Sequence, residues 1–446
     1  MPFCFLVQFG GERTGVAMRF VLASYGSRGD VEPAVVLARE LKGRGHDVLV
    51  AVPPNLVEFA ENAGLTAVAC GLDSGVSMES QREYWTVYFR TPWKFRQLSR
   101  MARETAEFAS QCWTEMTDTL TSLVEGADVL ITGLIFEQPA ANVAEAREIP
   151  LVTLHYFPAR AHGRLLPPLP AALSRLAMQV NDWAAWRGTR AAEDAQRRTL
   201  GLAAATCPAP QRIARRGSLE IQAYDAFCFP GLAAEWAQYN SGRSARRPFV
   251  GALALAAPTG ADERVCAWIA QGSPPVFFGF GSVPLQSPQE TIAMIARVCA
   301  RLGLRAVVGA GGSDFGDVAP PAHVLVVGAV NYATVFPLCR AVVHHGGAGT
   351  AAACLRAGVP QVVLWTLPDQ PSFAANLRRL KAGVGRRFSV TTEKTLTADL
   401  RKVLDPGYMA RAGVVARQMS TVSGSAAAAA DRVEEYARPG CGAKDR

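Results

Sequence analysis

No two of the ten cysteines are spaced C-x-x-C, and several lie inside apolar runs, as Cys266, Cys299, Cys339 and Cys354 do. This excludes a zinc knuckle or a disulfide-framed module and implies buried, reduced thiols. Long hydrophobic runs are missing as well: none approaches the roughly 18–20 residues that cross a bilayer. The opening MPFCFLVQF has neither a basic start nor a small-residue cleavage site, so it does not read as a signal peptide. Together these absences imply a cytoplasmic protein. Charge is sparse at 19 %. The net +8 is not gathered into a Lys/Arg block, so there is no nucleic-acid footprint. The excess reads as a solvated arginine surface, compatible with anionic ligands or an acidic membrane.

What is present is a long apolar chain of strict grammar. At 446 residues and 49 % hydrophobic it exceeds one ordinary core, and two domains are expected. Strand and helix patterns alternate: strands over 20–26, 47–53, 66–70, 128–132 and 150–157, with helical patterns over 31–44, 55–63, 81–125 and 138–147. The same alternation restarts after Pro248, with strands over 274–281, 304–310, 323–328, 341–345 and 360–365. The predicted fold is α/β, two tandem doubly wound, Rossmann-like parallel-sheet domains. The expected boundaries are a loose extension over 1–17, an N-terminal domain over 18–240, a linker rich in Gly, Arg, Ala and Pro over 241–258, a C-terminal domain over 259–422, and a closing helix and tail over 423–446. MRFVLASYG, which begins at Met18, starts the first clean strand, and Met18 is read as the natural start.

In such sheets ligands bind outside the carboxyl ends of the strands, so chemistry is sought on the strand-to-helix loops. VVHHGGAGT places Gly346, Gly347 and Gly349 between a strand and a helix whose first amides have no intrahelical partner. That junction can hold a diphosphate, with Thr350 adding a hydroxyl and His345 a ring N–H. Close strand–helix packing would also explain the glycines, but not the histidines. Zinc is not expected, because adjacent residues on a strand point to opposite faces. GFGSVP offers Gly281 and Ser282 at another strand end of the same domain. YGSRGDVEP follows the first strand of the N-terminal domain, and its Asp30 can cap the next helix. Its Arg-Gly-Asp triplet lies at the edge of a buried strand and is not read as an adhesion motif.

GSRGDVEP, GFGSV, HHGGAGT and LPDQPSFAANLRRL together resemble the bacterial glycosyltransferases of the GT-B fold. The resemblance runs from Met18 to the end and is strongest to the branch of glycopeptide-antibiotic and mycobacterial glycopeptidolipid glycosyltransferases. AVPPNLVEFAENAGL and NVAEAREIPLVTLHYFP point to the mycobacterial side. The resemblance implies two domains around a cleft and inverting transfer of a sugar from a UDP- or dTDP-sugar to a hydroxyl, with no metal or cofactor. It assigns the diphosphate to His345, Gly346, Gly347, Gly349 and Thr350 with Ser282 assisting, and the donor sugar to Asp369 and Gln370. The base edge falls to the backbone at Val330 and Asn331, with Tyr332 the one ring on offer for stacking. Asp30 matches the proposed general base, and His155, at another strand end, is a second candidate.

The acceptor side rests on REYWTVYFRTPWKFRQL, which concentrates Tyr84, Trp85, Tyr88 and Phe89 among basic residues. Such a cluster suits an apolar acceptor groove or a membrane-facing patch, though it also suits an amphipathic helix with a buried aromatic stripe. The expected activity is transfer of a hexose, with a 6-deoxyhexose such as rhamnose among the candidates, to a hydrophobic glycolipid or lipopeptide at the inner face of the membrane. A soluble aglycone, such as an antibiotic, polyketide or sterol, is the nearest alternative. A nucleotide-sugar epimerase and a non-catalytic nucleotide-sugar binding protein are alternatives of another class.

Overall fold

The computed structural model describes residues 16–91, 93–135, 137–164, 170–239, 246–281, 287–311, 320–367 and 370–438, without the side chains of Arg82, Trp85, Phe89, Arg90 and Tyr239. The N-terminal sheet holds β1 (Arg19–Ala23), β2 (Asp47–Val52), β3 (Thr66–Ala69), β4 (Val129–Gly133), β5 (Leu151–His155) and β6 (Leu219–Gln222). The C-terminal sheet holds β7 (Val276–Gly279), β8 (Ala306–Gly309), β9 (Val324–Val327), β10 (Ala341–His344), β11 (Gln361–Trp365) and β12 (Gly383–Arg387). Their orders are β3-β2-β1-β4-β5-β6 and β12-β11-β10-β7-β8-β9, and every pairing is parallel. Each sheet is doubly wound, as the alternation predicts. The order reverses between β1 and β4 in one and between β7 and β10 in the other, which opens a crevice at the carboxyl ends there.

The central strands are continuous apolar runs because helices cover both faces: Phe20, Leu22, Val50 and Ile131 are fully buried in one sheet, Phe278, Val308 and Val343 in the other. The helical region expected over 81–125 is two helices, Ser74–Arg90 and Phe95–Leu123. Pro92 causes the break, since the residue before a proline is driven out of the helical region, and Thr91 has φ −139°.

Two segments cross the expected domain boundaries. Within the expected linker, Arg246 bridges to Leu219 and Phe249 to Gln222 along the β6 edge. Phe249 also stacks on Trp236 at 5.9 Å, and Val250 and Leu253 are buried in the N-terminal core. The closing helix, Val422–Ala437, returns to the N-terminal domain, where Ala426, Ala429, Ala430 and Val433 join that same core. Their i, i+3, i+4, i+7 spacing makes one narrow face, and alanine lets it approach the helix Arg28–Gly43 closely. Arg44 pins it there, donating to Asp431 at 2.7 Å, Glu434 at 3.1 Å and the Ala427 carbonyl at 3.1 Å.

Candidate active site

At the C-terminal crevice, β10 ends in two histidines with opposite duties. His344 points into the sheet and is fully buried. Its Nδ1 accepts the Gly346 N–H at 3.1 Å, so Nε2 carries the proton and donates to Gln361 at 2.9 Å. Burial and then the neighbouring His345 pull its pKa down to about 3. His345 turns the other way and fits between two glycines. A Cβ on Gly281 would stand 2.5 Å from its Cε1, and one on Gly347 would stand 2.6 Å from its Nε2. Burial holds His345 neutral, with its pKa lowered to about 4. Its Nδ1 is enclosed and has no partner among the described residues.

The loop is shaped by backbone that only glycine takes easily: φ is +72° at Gly281 and +96° at Gly346. The helix Ala348–Ala357 begins immediately after, with Gly347 as its N-cap and no side-chain cap. Its leading amides therefore face the crevice beside His345, as an anion site requires. Thr350, one turn in, is hydrogen-bonded to the Tyr332 hydroxyl.

Other donor-side residues carry structural work. Tyr332, the sequence's one candidate for stacking on a base, lies 4.3 Å from Phe336 at 14° and edge-on to Phe277 at 6.0 Å. Its ring is part of the packing beneath the crevice. Asn331 caps the helix Tyr332–Val335 through Ala333 at 3.1 Å, and its own N–H donates to Asp262 at 2.8 Å. That N–H is thus engaged, while Val330 is buried in the adjoining apolar cluster. Gln370 is 3 % exposed, and its Oε1 accepts the N–H groups of Thr366 and Leu367 at 2.8 and 3.0 Å. It shapes its own loop and packs against Gly346. Ser282 and Asp369 lie outside the described residues.

In the N-terminal domain Asp30 sits in the first turn of the helix Arg28–Gly43, half-buried. Its Oδ2 accepts the N–H and hydroxyl of Ser27 at 2.6 and 2.7 Å, and its Oδ1 accepts the Tyr156 hydroxyl. Burial holds the carboxyl above the ordinary carboxylate range, against the opposing effect of those bonds. The Glu32 carboxylate accepts the N–H of Leu255, a linker residue packed on the N-terminal core, at 2.8 Å, and the charges of Glu32 and Arg28 lie close enough to bear on the Tyr332 hydroxyl of the other domain. The first helix of one domain thus faces the donor loop of the other.

His155 is different from the expectation. It is fully buried, 3.5 Å from Glu137 and 3.2 Å from Gln222. Around it Arg160 donates to Glu137 at 2.6 Å and also binds Glu220, whose other oxygen is 3.0 Å from Arg247. Burial alone would raise Glu137, but Arg160 and His155 bring it down to about 2. This ionic core braces β5 against β6, and a ring with no exposed surface cannot reach an acceptor hydroxyl. Sequence reasoning missed the cluster and also Tyr156, because nothing local distinguishes these polar residues from exposed ones.

On the helix Ser74–Arg90, Tyr84 and Tyr88 stack at 6.4 Å, with Tyr88 44 % exposed. Just beyond, Trp93 and Phe95 are 66 % and 72 % exposed. The side chains of Trp85 and Phe89 lie outside the described residues. Among the described residues no helix is long and apolar enough to cross a membrane.

Comparison with known proteins agrees with this fold. The chain is 50 % identical to an uncharacterized glycosyltransferase of Mycobacterium tuberculosis over 423 residues, 94 % of this chain and 99 % of the relative. The chain belongs to the GT-B glycosyltransferases. The Glycosyltransferase family 28 N-terminal domain matches residues 20–127 of this glycosyltransferase, and the Erythromycin biosynthesis protein CIII-like C-terminal domain matches residues 306–434. The vancomycin aglycone glucosyltransferase of Amycolatopsis orientalis is 28 % identical to it, covering 92 % of this chain and 96 % of that one. Among solved structures, the glycosyltransferase of kitacinnamycin superposes with a TM-score of 0.66 at 20 % identity, covering 94 % and 98 % of the two chains. The glycosyltransferase VinC, in complex with dTDP, gives 0.62 at 20 %, covering 94 % and 100 %. Both share its fold.

Proposed function

We propose that this glycosyltransferase moves a hexose, with inversion, from a UDP- or dTDP-sugar to a hydroxyl of a hydrophobic glycolipid or lipopeptide. The observation that carries the donor half is the neutral His345, seated between Gly281 and Gly347 with its Nδ1 enclosed and without a partner among the described residues, beside the uncapped amides of the helix Ala348–Ala357. Charge developing on a leaving diphosphate meets donors already aimed at it, which is the effective form of electrostatic catalysis. On this reading the diphosphate lies against His345, Gly346, Gly347, Gly349 and Thr350, and the reaction needs no metal ion or cofactor. Ser282, Asp369 and the Val330 backbone are assigned to the phosphate, the sugar and the base, while Gln370 and Asn331 hold their own loops. The dTDP bound to VinC supports a thymidine donor.

Asp30 is the general base. A carboxylate of ordinary pKa is a poor match to an alcohol proton, and the burial that raises Asp30 improves that match. The exposed aromatics Tyr88, Trp93 and Phe95 support a greasy acceptor presented at the cytoplasmic face of the membrane, where the same patch makes peripheral contact. The name of the vancomycin relative favours a second reading, a soluble aglycone. Transfer to a lipidated acceptor against its delipidated analogue separates the two.

The donor half is tested by the thermal shift of the chain with UDP, dTDP and GDP. A nucleotide at 100 times its Kd adds about 2.7 kcal/mol of stability. Stabilisation by UDP or dTDP, reduced 10- to 100-fold in affinity by His345→Ala, is expected for one lost phosphate hydrogen bond. No stabilisation by any nucleotide would remove the donor site from this loop.

A further inference from the structure

An ionised carboxylate has about four acceptor sites, two on each oxygen. At Asp30 the two on Oδ2 are filled by the Ser27 N–H and hydroxyl. The chain also walls off that oxygen: a Cβ on Gly26 would stand 2.6 Å from Oδ2. Oδ1 accepts the Tyr156 hydroxyl and keeps one site. Tyr156 follows β5 directly and is braced edge-on by Phe157 at 5.5 Å. We infer that Tyr156 is the positioning residue of the base, sharing Oδ1 with the incoming acceptor hydroxyl and making Oδ1 the oxygen that takes its proton.

This rests on the reading of Asp30 as the base. In the step it describes, the acceptor O–H gives its proton to Oδ1 and the acceptor oxygen bonds to the anomeric carbon of the nucleoside diphosphate sugar. The bond from that carbon to the diphosphate breaks, and its electron pair stays on the diphosphate. Tyr156 keeps its own proton throughout. Its work is to fix the carboxylate plane and to keep Asp30 ionised, the form that takes a proton, while burial still holds its pKa above the ordinary range.

The other groups around Asp30 do not duplicate this. Ile135, from the loop after β4, contributes an apolar contact at Gly26, and the Ser24 hydroxyl donates to the Asp30 carbonyl rather than to its side chain. The charged neighbours on the same helix, Arg28 and Glu32, pair with each other at 3.6 Å; Arg28 lies over the Phe59 ring and Glu32 holds Leu255.

The experiment titrates the Asp30 carboxyl by NMR in chain labelled at the aspartate carboxyl carbons, with Asp30→Asn to assign the signal. In Tyr156→Phe the midpoint should rise by about one pH unit, the size of a lost hydrogen bond to a charged group. A fluorinated tyrosine at 156, a stronger donor, should move it down. A merely structural tyrosine would lower the melting temperature and leave the midpoint in place, and an unmoved midpoint overturns the inference. Asp30→Asn is assayed separately for nucleotide release from UDP-glucose and dTDP-glucose with octyl β-glucoside as the acceptor alcohol. If release matches wild type while the Tyr156→Phe midpoint moves, the base reading fails: the hydrogen bond is real, but its catalytic role is overturned.

Discussion

Replacing Gly26 with alanine probes the loop that carries Asp30. Gly26 has φ +121°, a conformation that costs an L-residue about 1–3 kcal/mol. Its new Cβ would also stand 2.6 Å from Asp30 Oδ2 and 2.9 Å from Ile135 Cδ1. The carboxylate must move, and its two bonds from Ser27 are then stretched or lost, at about 1–2 kcal/mol more. The sum, about 2–5 kcal/mol, corresponds to a fall of roughly 4–20 °C in the melting of a domain of this size. Calorimetry should show that fall in the N-terminal transition, with nucleotide stabilisation of the C-terminal domain kept. A double-mutant cycle isolates the contact: in an Asp30→Ala background, Gly26→Ala should cost 1 kcal/mol or more less than in wild type, about the share due to the carboxylate. Strict additivity, or a melting shift under about 2 °C, would refute the close approach.

Arg160→Met leaves Glu137 and Glu220 buried without their shared cation, which should cost about 3–5 kcal/mol in urea unfolding; a loss below about 1 kcal/mol would mean the cluster is not ionised. His344 and His345 are both lowered from 6.5, to about 3 and about 4, so the unfolded chain binds their protons first. The stability they contribute is complete above pH 6.5 and falls as pH drops toward 4, by up to about 1.4 kcal/mol per pH unit for each ring. Melting of the C-terminal domain between pH 7 and 5 should show that slope, reduced in His345→Gln; an equal slope in the variant would contradict it. Ending the chain at residue 421 removes Ala426, Ala429, Ala430 and Val433 from the N-terminal core. Calorimetry should then show the N-terminal transition lowered and the C-terminal one nearly unchanged, and the reverse would contradict the docking of that helix.

Much of the fold is written in local pattern. The central strands of both sheets are short apolar runs, and each overlaps the range its sequence predicts, β1 starting one residue earlier and β4 ending one residue later. The glycine-rich junction after β10 was legible for the same reason, since a strand end, glycines and a helix start are all encoded within a dozen residues. The edge strands β6 and β12 were not legible. β6 carries Glu220 and Gln222, both fully buried, and no periodicity reveals a polar residue that is inside because an arginine sixty positions away is inside with it.

Sequence alone, then, determined the two doubly wound sheets and the glycine-rich loop after β10, because each depends on residues close in the chain; it placed Asp30 as the cap ahead of a helix from Val31, whereas the helix starts at Arg28 with Ser27 as its N-cap and Asp30 bonds back to Ser27 from the first turn. Tertiary structure decided the rest. It buried His155 in an ionic core, turned Gln370 and Asn331 to holding their own loops, sent the last helix back to the first domain and brought Tyr156 to Asp30 across 126 residues. Those outcomes depend on which polar groups find partners when distant segments pack, and a buried polar group is stable only where its partner is buried too.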